Sequence, residues 1–382
     1  MVTLPFLLFF PSLLVWLAGT FSLAATSTKE VRKIIIFQEG RSLVQGRRTV
    51  HAFGGRVIKE LPLIHALVAT FPREEGKLHA LSQEPEVELV EEDATVETCA
   101  LPCPAPRNQQ TLPWGVERIG APAAWPRTTG AGVKVAVLDT GVDAGHPDLK
   151  ANLVERVNLK FPGWTAGDNN GHGTHVAGII AAADNTFGVV GVAPQVQIYA
   201  VKIFDYRGRG FISDIISGLE WACKNKMQIV NMSFGTKQPS IALQKAVEAC
   251  LQAGILLVAA AGNEGDKEGE VLYPARYPGV LAVTATTRED KLAGFSSRGP
   301  EVSVAAPGAE VLSTYPGGQY RVMSGTSMAA PHVSGVLALI LGSKNELGPD
   351  QARKILKQTA CKLPGLSAWE QGAGLVNAGW LG

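Results

Sequence analysis

Between residues 133 and 360, short apolar runs alternate with segments of helical spacing, and no other feature constrains the fold as tightly. Residues 133–138, 196–204, 229–232, 255–260 and 280–285 read as strands. Residues 172–183, 212–225, 241–253, 327–341 and 350–358 read as helices. The strands are apolar at nearly every position, the mark of strands covered on both faces. The alternation therefore predicts an α/β unit with a mostly parallel sheet and helices on both faces. In such sheets reactive groups collect beyond the carboxyl ends of the strands. Asp139 stands there after 133–138, Asn231 and Ser233 after 229–230, and Asn263 after 255–261. Forty-two glycines and twenty-three prolines, with no internal period, argue against a coiled coil or a repeat solenoid.

The 382 residues leave room for more than this unit. Residues 30–97 read as a small α+β module: a strand at 31–38, a turn at Gly54-Gly55, an apolar stretch at 61–71, a helix at 74–82 and a strand at 87–91. From 84 to 97 the module carries carboxylates and no base, which suits either a solvated edge or an acidic face meeting a partner. The prolines of 98–108 forbid a helix and mark a linker, so the larger unit runs from 109 to 382. At the start, residues 6–25 are apolar, and the small-residue exit Ser22-Leu23-Ala24 suits cleavage of a signal peptide after Ala24 and a secreted product. No Lys or Arg precedes that run, so a membrane anchor through 6–25 is the rival reading, and no other stretch reads as a membrane span. Thirty-five basic residues against thirty-four acidic ones exclude nucleic-acid binding by bulk charge. Five cysteines allow at most two internal bridges. Cys99 and Cys103 sit in the Pro-rich stretch, whereas Cys223 and Cys250 read as small buried hydrophobes rather than as a bridge.

Three motifs carry chemistry: Val-Ala-Val-Leu-Asp139-Thr140-Gly141, Gly171-His172-Gly173-Thr174-His175, and Ser324-Gly325-Thr326-Ser327-Met328-Ala329-Ala330-Pro331-His332. Singly, each has an ordinary structural explanation, as a turn residue, a satisfied polar group or a helix cap. Together, in the order Asp, His, Ser at the edges of α/β elements, they match one chain order of the nucleophilic triad. No Gly-x-Ser-x-Gly elbow surrounds Ser327, which argues against an α/β-hydrolase esterase. A catalytically silent scaffold is disfavoured because Asp139, His172, Ser327 and Asn263 are all present.

With their flanks, these motifs resemble those of the subtilisin-like serine proteases, over about residues 110–380. The module at 25–97, ending Val90-Glu91-Glu92-Asp93, is similar to the inhibitor-type propeptide that precedes such enzymes. The resemblance implies a self-processing serine endopeptidase acting on polypeptides, a monomer whose propeptide is its intramolecular inhibitor. It implies Ser327 as nucleophile, His172 as base and acid, Asp139 as orienting carboxylate, and Asn263 with the Ser327 amide as oxyanion donors. His175 and His332 are given structural roles, because no His-Glu-x-x-His pattern or further zinc ligand is found. Met328, beside the nucleophile, is the expected site of oxidative damage.

The same resemblance implies that a peptide binds as an added strand between Gly208-Arg209-Gly210 and Ser233-Phe234-Gly235. Phe234, Ala260, Gly262 and Glu264 would line the primary pocket, with Arg209 and Glu264 at its rim and Leu272 making it shallower. It also implies a structural calcium held by Gln110, Asp148 and Asn185 with the carbonyls of Ala183, Phe187 and Val189. Ser303, where some family members carry a carboxylate, withdraws support for a second cation site.

Overall fold

The structure, a computed structural model, describes residues 30–98, 101–104, 109–265, 270–343 and 347–382, with the backbone alone for 101–104. The expected leader at 1–24, the rival anchor at 6–25, Cys99, and residues 105–108 of the linker lie outside the described residues.

The larger unit is built on seven parallel strands in the order Val302–Pro307, Leu281–Thr286, Leu256–Ala260, Ile229–Met232, Lys134–Asp139, Gln197–Lys202, Leu153–Asn158. Side chains alternate between the two faces, and each face has its own core. Val135, Val137, Val258 and Val283 join the helices His172–Ala181 and Thr326–Ser343 on one side. Ala136, Leu138, Leu257 and Val230 join the helices Ile212–Lys224 and Ile241–Gln252 on the other. This is the α/β architecture expected from the sequence. The chain starts its sheet at Lys134–Asp139, fills one side and then the other, so the order reverses at that strand. The crevice of such a reversal, beyond the strand carboxyl ends, is where Asp139 and Ser233 stand.

Two corrections to the sequence reading concern segments of mixed polarity. Leu153–Asn158 and Val302–Pro307 complete the sheet, and Val311–Tyr315 with Gln319–Ser324 forms a hairpin against which the backbone of Leu101–Pro104 pairs. The helix Thr326–Ser343 is long and apolar enough to cross a membrane, yet 83 % of that span is buried in the fold; it is a core helix.

The N-terminal module is a four-stranded antiparallel sheet in the order Arg56–Leu61, Ala66–Phe71, Val31–Phe37, Val87–Glu92, with the helices Leu43–Ala52 and Glu75–Ser82. Its other apolar face, including Ile34, Ile36, Ile64 and Val68, shares a core with Ile215, Leu219, Leu243 and Ala246 of the paired helices Ile212–Lys224 and Ile241–Gln252. The acidic run is not a solvated edge. Glu91 accepts from the Ser240 hydroxyl at 2.5 Å and from the Ile241 and Ala242 amides at 3.0 and 3.2 Å. Asp93 accepts from the Ser213 amide and hydroxyl, and Glu88 pairs with Lys245 at 2.7 Å. Both paired helices thus offer their N-termini to module carboxylates, where unpaired amides and the helix dipole favour negative charge.

Candidate active site

Asp139 is the last residue of its strand and fully buried. His172 opens the helix His172–Ala181, and its Nδ1 lies 2.8 and 2.9 Å from the two carboxylate oxygens of Asp139. A carboxylate on Nδ1 fixes the tautomer with the proton on that atom and leaves Nε2 as the acceptor. Nε2 is buried and has no hydrogen-bond partner among the described residues.

The turn that presents this pair is organised by Asp168, which the sequence reading passed over. Asp168 Oδ1 accepts from Thr140 Oγ1 at 2.9 Å and from the Asn170 and Gly171 amides at 3.0 and 2.8 Å. Its Oδ2 accepts from the amide and hydroxyl of Thr174 at 2.9 and 2.7 Å. One carboxylate therefore ties the loop after Asp139 to the first turn of the histidine helix. Its position, an Asp shortly before a Gly-His helix start, is the available sequence signal. The adjacent Lys202 donates to the Thr140 carbonyl and, at 3.2 Å, to Asn169 Oδ1. Burial holds its ammonium below the ordinary lysine range, against the pull of Asp168 and Asp139.

Ser327 is the second residue of the helix Thr326–Ser343. Pro331 sits four residues on and has no amide to give the Ser327 carbonyl. That carbonyl instead accepts from Ser233 Oγ at 2.8 Å, and Ser327 Oγ donates to the Ser233 carbonyl at 2.7 Å. Asn231 Nδ2 donates to Ser233 Oγ at 2.9 Å, and Ser334 Oγ donates to Asn231 Oδ1 at 2.9 Å. The serine hydroxyl thus points at a backbone carbonyl, not at the imidazole, a departure from the geometry expected of a ready triad.

Asn263 Oδ1 accepts from the Thr326 amide and hydroxyl, both at 2.9 Å. Holding the oxygen makes Nδ2 the donating end of the amide, the orientation an oxyanion requires. His175 and His332 stand apart from this chemistry. His175 Nε2 lies 3.1 and 3.0 Å from the Val311 and Arg321 carbonyls, and His332 Nδ1 lies 2.9 Å from the Met328 carbonyl. Burial pushes their pKa values down to about 3 and about 4. Among the described residues no group of three His, Cys, Asp or Glu side chains could hold a metal.

The cleft holds the chain's own segment. Thr95–Thr98 is the middle strand of three, antiparallel to Arg209–Phe211 and to Phe234–Gly235. The Thr98 amide donates to the Gly208 carbonyl at 2.9 Å. Gly208 has φ +73°, and a Cβ there would lie 2.2 Å from Thr98 Oγ1. Val96 is buried in the core that contains Phe204 and Phe234, whose rings meet edge-to-face at 5.0 Å. The Phe234 ring therefore packs in that core, while its backbone pairs with Thr98. Arg209 pairs with Glu97 of the seated strand at 2.7 Å, and Glu264 with Lys237 at 2.7 Å. A cavity of about 230 Å³ at the second pair is lined by Lys237, Glu264, Glu270, Val271, Leu272 and Arg276. A Cβ on Gly235 or Gly262 would come within 2.8 and 2.6 Å of the Leu272 side chain, so Leu272 fills the space against both glycines.

Away from the cleft, the six expected calcium-binding positions come together. Asp148 is fully buried, and its carboxylate accepts from Asn185 Nδ2 at 3.0 Å and the Val189 amide at 2.9 Å. Gln110 Nε2 donates to the Ala183 carbonyl at 3.2 Å, and the Phe187 amide donates to Asn185 Oδ1 at 2.9 Å.

Comparison with known proteins gives a consistent result. The model described as "Subtilase family" matches residues 130–375. The chain is 46 % identical to the M-protease of Shouchella clausii over 302 residues, covering 78 % of this chain and 75 % of the relative. It is 44 % identical to the thermostable alkaline protease of Halalkalibacterium halodurans over 322 residues, covering 84 % and 83 %. With subtilisin E of Bacillus subtilis it shares 40 % identity over 364 residues, covering 93 % and 91 %.

Proposed function

This chain belongs to the subtilase family of serine endopeptidases, and on that premise we propose that Ser327, His172 and Asp139 are its catalytic triad and that its N-terminal module is its first substrate. The observation that carries this reading is the Asp139–His172 pair, whose buried Nε2 has no partner among the described residues; the chain's own Thr95–Thr98, seated as an added strand between Arg209–Phe211 and Phe234–Gly235, supports it.

In this mechanism Ser327 Oγ exchanges its Ser233 acceptor for His172 Nε2. It attacks the peptide carbonyl carbon as the imidazole takes its proton. Asp139 stabilises the imidazolium, and Asn263 Nδ2 with the Ser327 amide receives the oxyanion. Collapse breaks the C–N bond, and His172 returns the proton to the leaving amine. Water then attacks the acyl-enzyme by the same route in reverse. The bond to Ser233 describes the hydroxyl at rest, before this exchange.

The module is the propeptide and acts as an intramolecular inhibitor. Glu91, Asp93 and Glu88 anchor it, and the strand that follows leads the chain through the cleft. Self-cleavage falls just beyond Thr98, so the mature enzyme begins within 99–110. Residues 1–24 serve as an export leader, a reading supported by Ser22-Leu23-Ala24.

A calcium ion fits the cluster around Asp148. This buried carboxylate has only neutral donors and no cationic side chain paired with it among the described residues, so a bound cation would balance its charge. Gln110 and Asn185, whose amide nitrogens here face the Ala183 carbonyl and Asp148, would turn their oxygens to the ion and, with the carbonyls of Ala183, Phe187 and Val189, supply a hard oxygen donor set. The ion would be structural, tying the loop at 183–189 to Asp148, and takes no part in the hydrolytic steps.

Expression of the full chain and its Ser327→Ala variant tests the proposal. The parent is expected to release the module and digest denatured protein, and the variant to stay intact and inactive. A variant that still cuts itself, or active parent that retains residue 30, would overturn it. Asn263→Ala is expected to lower kcat about 100- to 1,000-fold with little change in KM, the magnitude already established for this donor in the family.

A further inference from the structure

Two thiols that hydrolysis does not use meet at the ends of the helix pair beneath the module. Cys223 lies in the last turn of Ile212–Lys224 and Cys250 in the last turn of Ile241–Gln252, and their sulfurs are 3.0 Å apart. Cys250 is fully buried, with its sulfur 3.5 Å from the Leu219 carbonyl, and belongs to the core shared by these helices and the module. Cys223 is only half-buried. Read separately in the sequence, the two residues pass for unrelated small hydrophobes; packing of the helices makes them a pair.

We propose that Cys223 and Cys250 are a modification site, closed by a low-molecular-weight disulfide into an intramolecular bridge that staples the two module-bearing helices together. The sulfurs need approach by only about 1 Å to reach the bonded separation of about 2.05 Å. Their environments assign the order of events. The hydrogen bond with Cys250 holds the Cys223 thiol below the ordinary cysteine range, while the same bond and burial push Cys250 up. Cys223 is thus both the more exposed sulfur and the better supply of thiolate, the attacking form.

Cys223 loses its proton and attacks one sulfur of the oxidant, giving a mixed disulfide and one thiolate leaving group. Cys250 then loses its proton and attacks the Cys223 sulfur, forming the internal S–S bond and expelling the second thiolate. The two released protons convert these to thiols, so the protein pair loses two electrons and the oxidant gains them.

The bridge has a use in this fold. Ile215, Leu219, Leu243 and Ala246 lie in the core completed by the module, so both helices lose apolar cover when it departs. A covalent tie between positions 27 residues apart keeps them in register and restricts the unfolded chain.

The full-length Ser327→Ala chain, reduced and then incubated with glutathione disulfide, provides the test, and its outcome does not depend on the hydrolytic reading. Alkylation in denaturant followed by peptide mapping is expected to find Cys223 linked to Cys250, and the melting temperature is expected to rise by about 5 °C over the reduced protein. Added Cys223→Ser should abolish both effects. Recovery of both thiols alkylated, linkage of either one to Cys99, Cys103 or Cys361, or a 223–250 link with no rise in melting temperature would overturn the proposal.

Discussion

Ser233 and Ser327 exchange two hydrogen bonds: each hydroxyl donates to the other residue's carbonyl, at 2.8 and 2.7 Å. Pro331 makes one of these necessary, because without it the Ser327 carbonyl would be a buried acceptor lacking a donor. Ser233→Ala removes that donor and leaves Asn231 Nδ2 without its Ser233 partner. The expected cost is about 1–3 kcal/mol of stability. A fall of about 10-fold in kcat is also expected, as the start of the serine helix loses its tether. Thermal denaturation and steady-state kinetics check this; unchanged melting temperature and kcat would refute it.

Glu91 should govern how long the module stays bound. Its carboxylate caps the helix that follows Ser240 with three hydrogen bonds. Glu91→Ala is expected to weaken retention of the cleaved module by about 10-fold or more, the scale of charged hydrogen bonds at a helix N-terminus. Gel filtration after processing reads this directly. Equal co-elution of module and enzyme in parent and variant would contradict it.

Acid should destabilise the fold through His175 and His332. Their folded pKa values, about 3 and about 4, lie below the unfolded value near 6.5. Below that value the unfolded chain takes up protons that the buried rings refuse. Their contribution is complete above pH 6.5 and is lost as pH falls, down to about 4 for His332 and about 3 for His175. The slope is about 1.4 kcal/mol per pH unit for each ring. Melting curves of the Ser327→Ala chain between pH 8 and 4 should show this. His332→Gln should reduce the slope by about one proton; an identical slope would exclude His332 as a source.

Much of this was legible in the sequence because strands covered on both faces are written as unbroken apolar runs. Leu256–Ala260 is of that kind, Ile229–Met232 departs from it only at Asn231, and the motif residues follow such runs or open helices. Leu153–Asn158, an edge strand with Glu155 and Arg156 at its centre, has no such signature. Relations across the fold left no local trace. Asp168 matters through Thr140 and Thr174, Ser233 through a serine 94 residues away, and the acidic run through helices that only tertiary packing brings to it.

Chelation should loosen the cluster around Asp148. If calcium occupies it at concentrations well above its dissociation constant, excess chelator is expected to lower the melting temperature of the mature enzyme by about 5–15 °C. Asp148→Ala should melt at the same temperature with and without the metal. A chelator-insensitive parent would remove calcium from the account.

The most direct measurement treats processed enzyme with a serine-directed phosphonylating reagent and maps the adduct while residual activity is followed. The account requires one label per molecule, on Ser327, with activity lost in proportion, and slower labelling when Asp139 is replaced by Asn. Labelling of a different residue with equal loss of activity, or full hydrolytic activity with Ser327 completely modified, would contradict it.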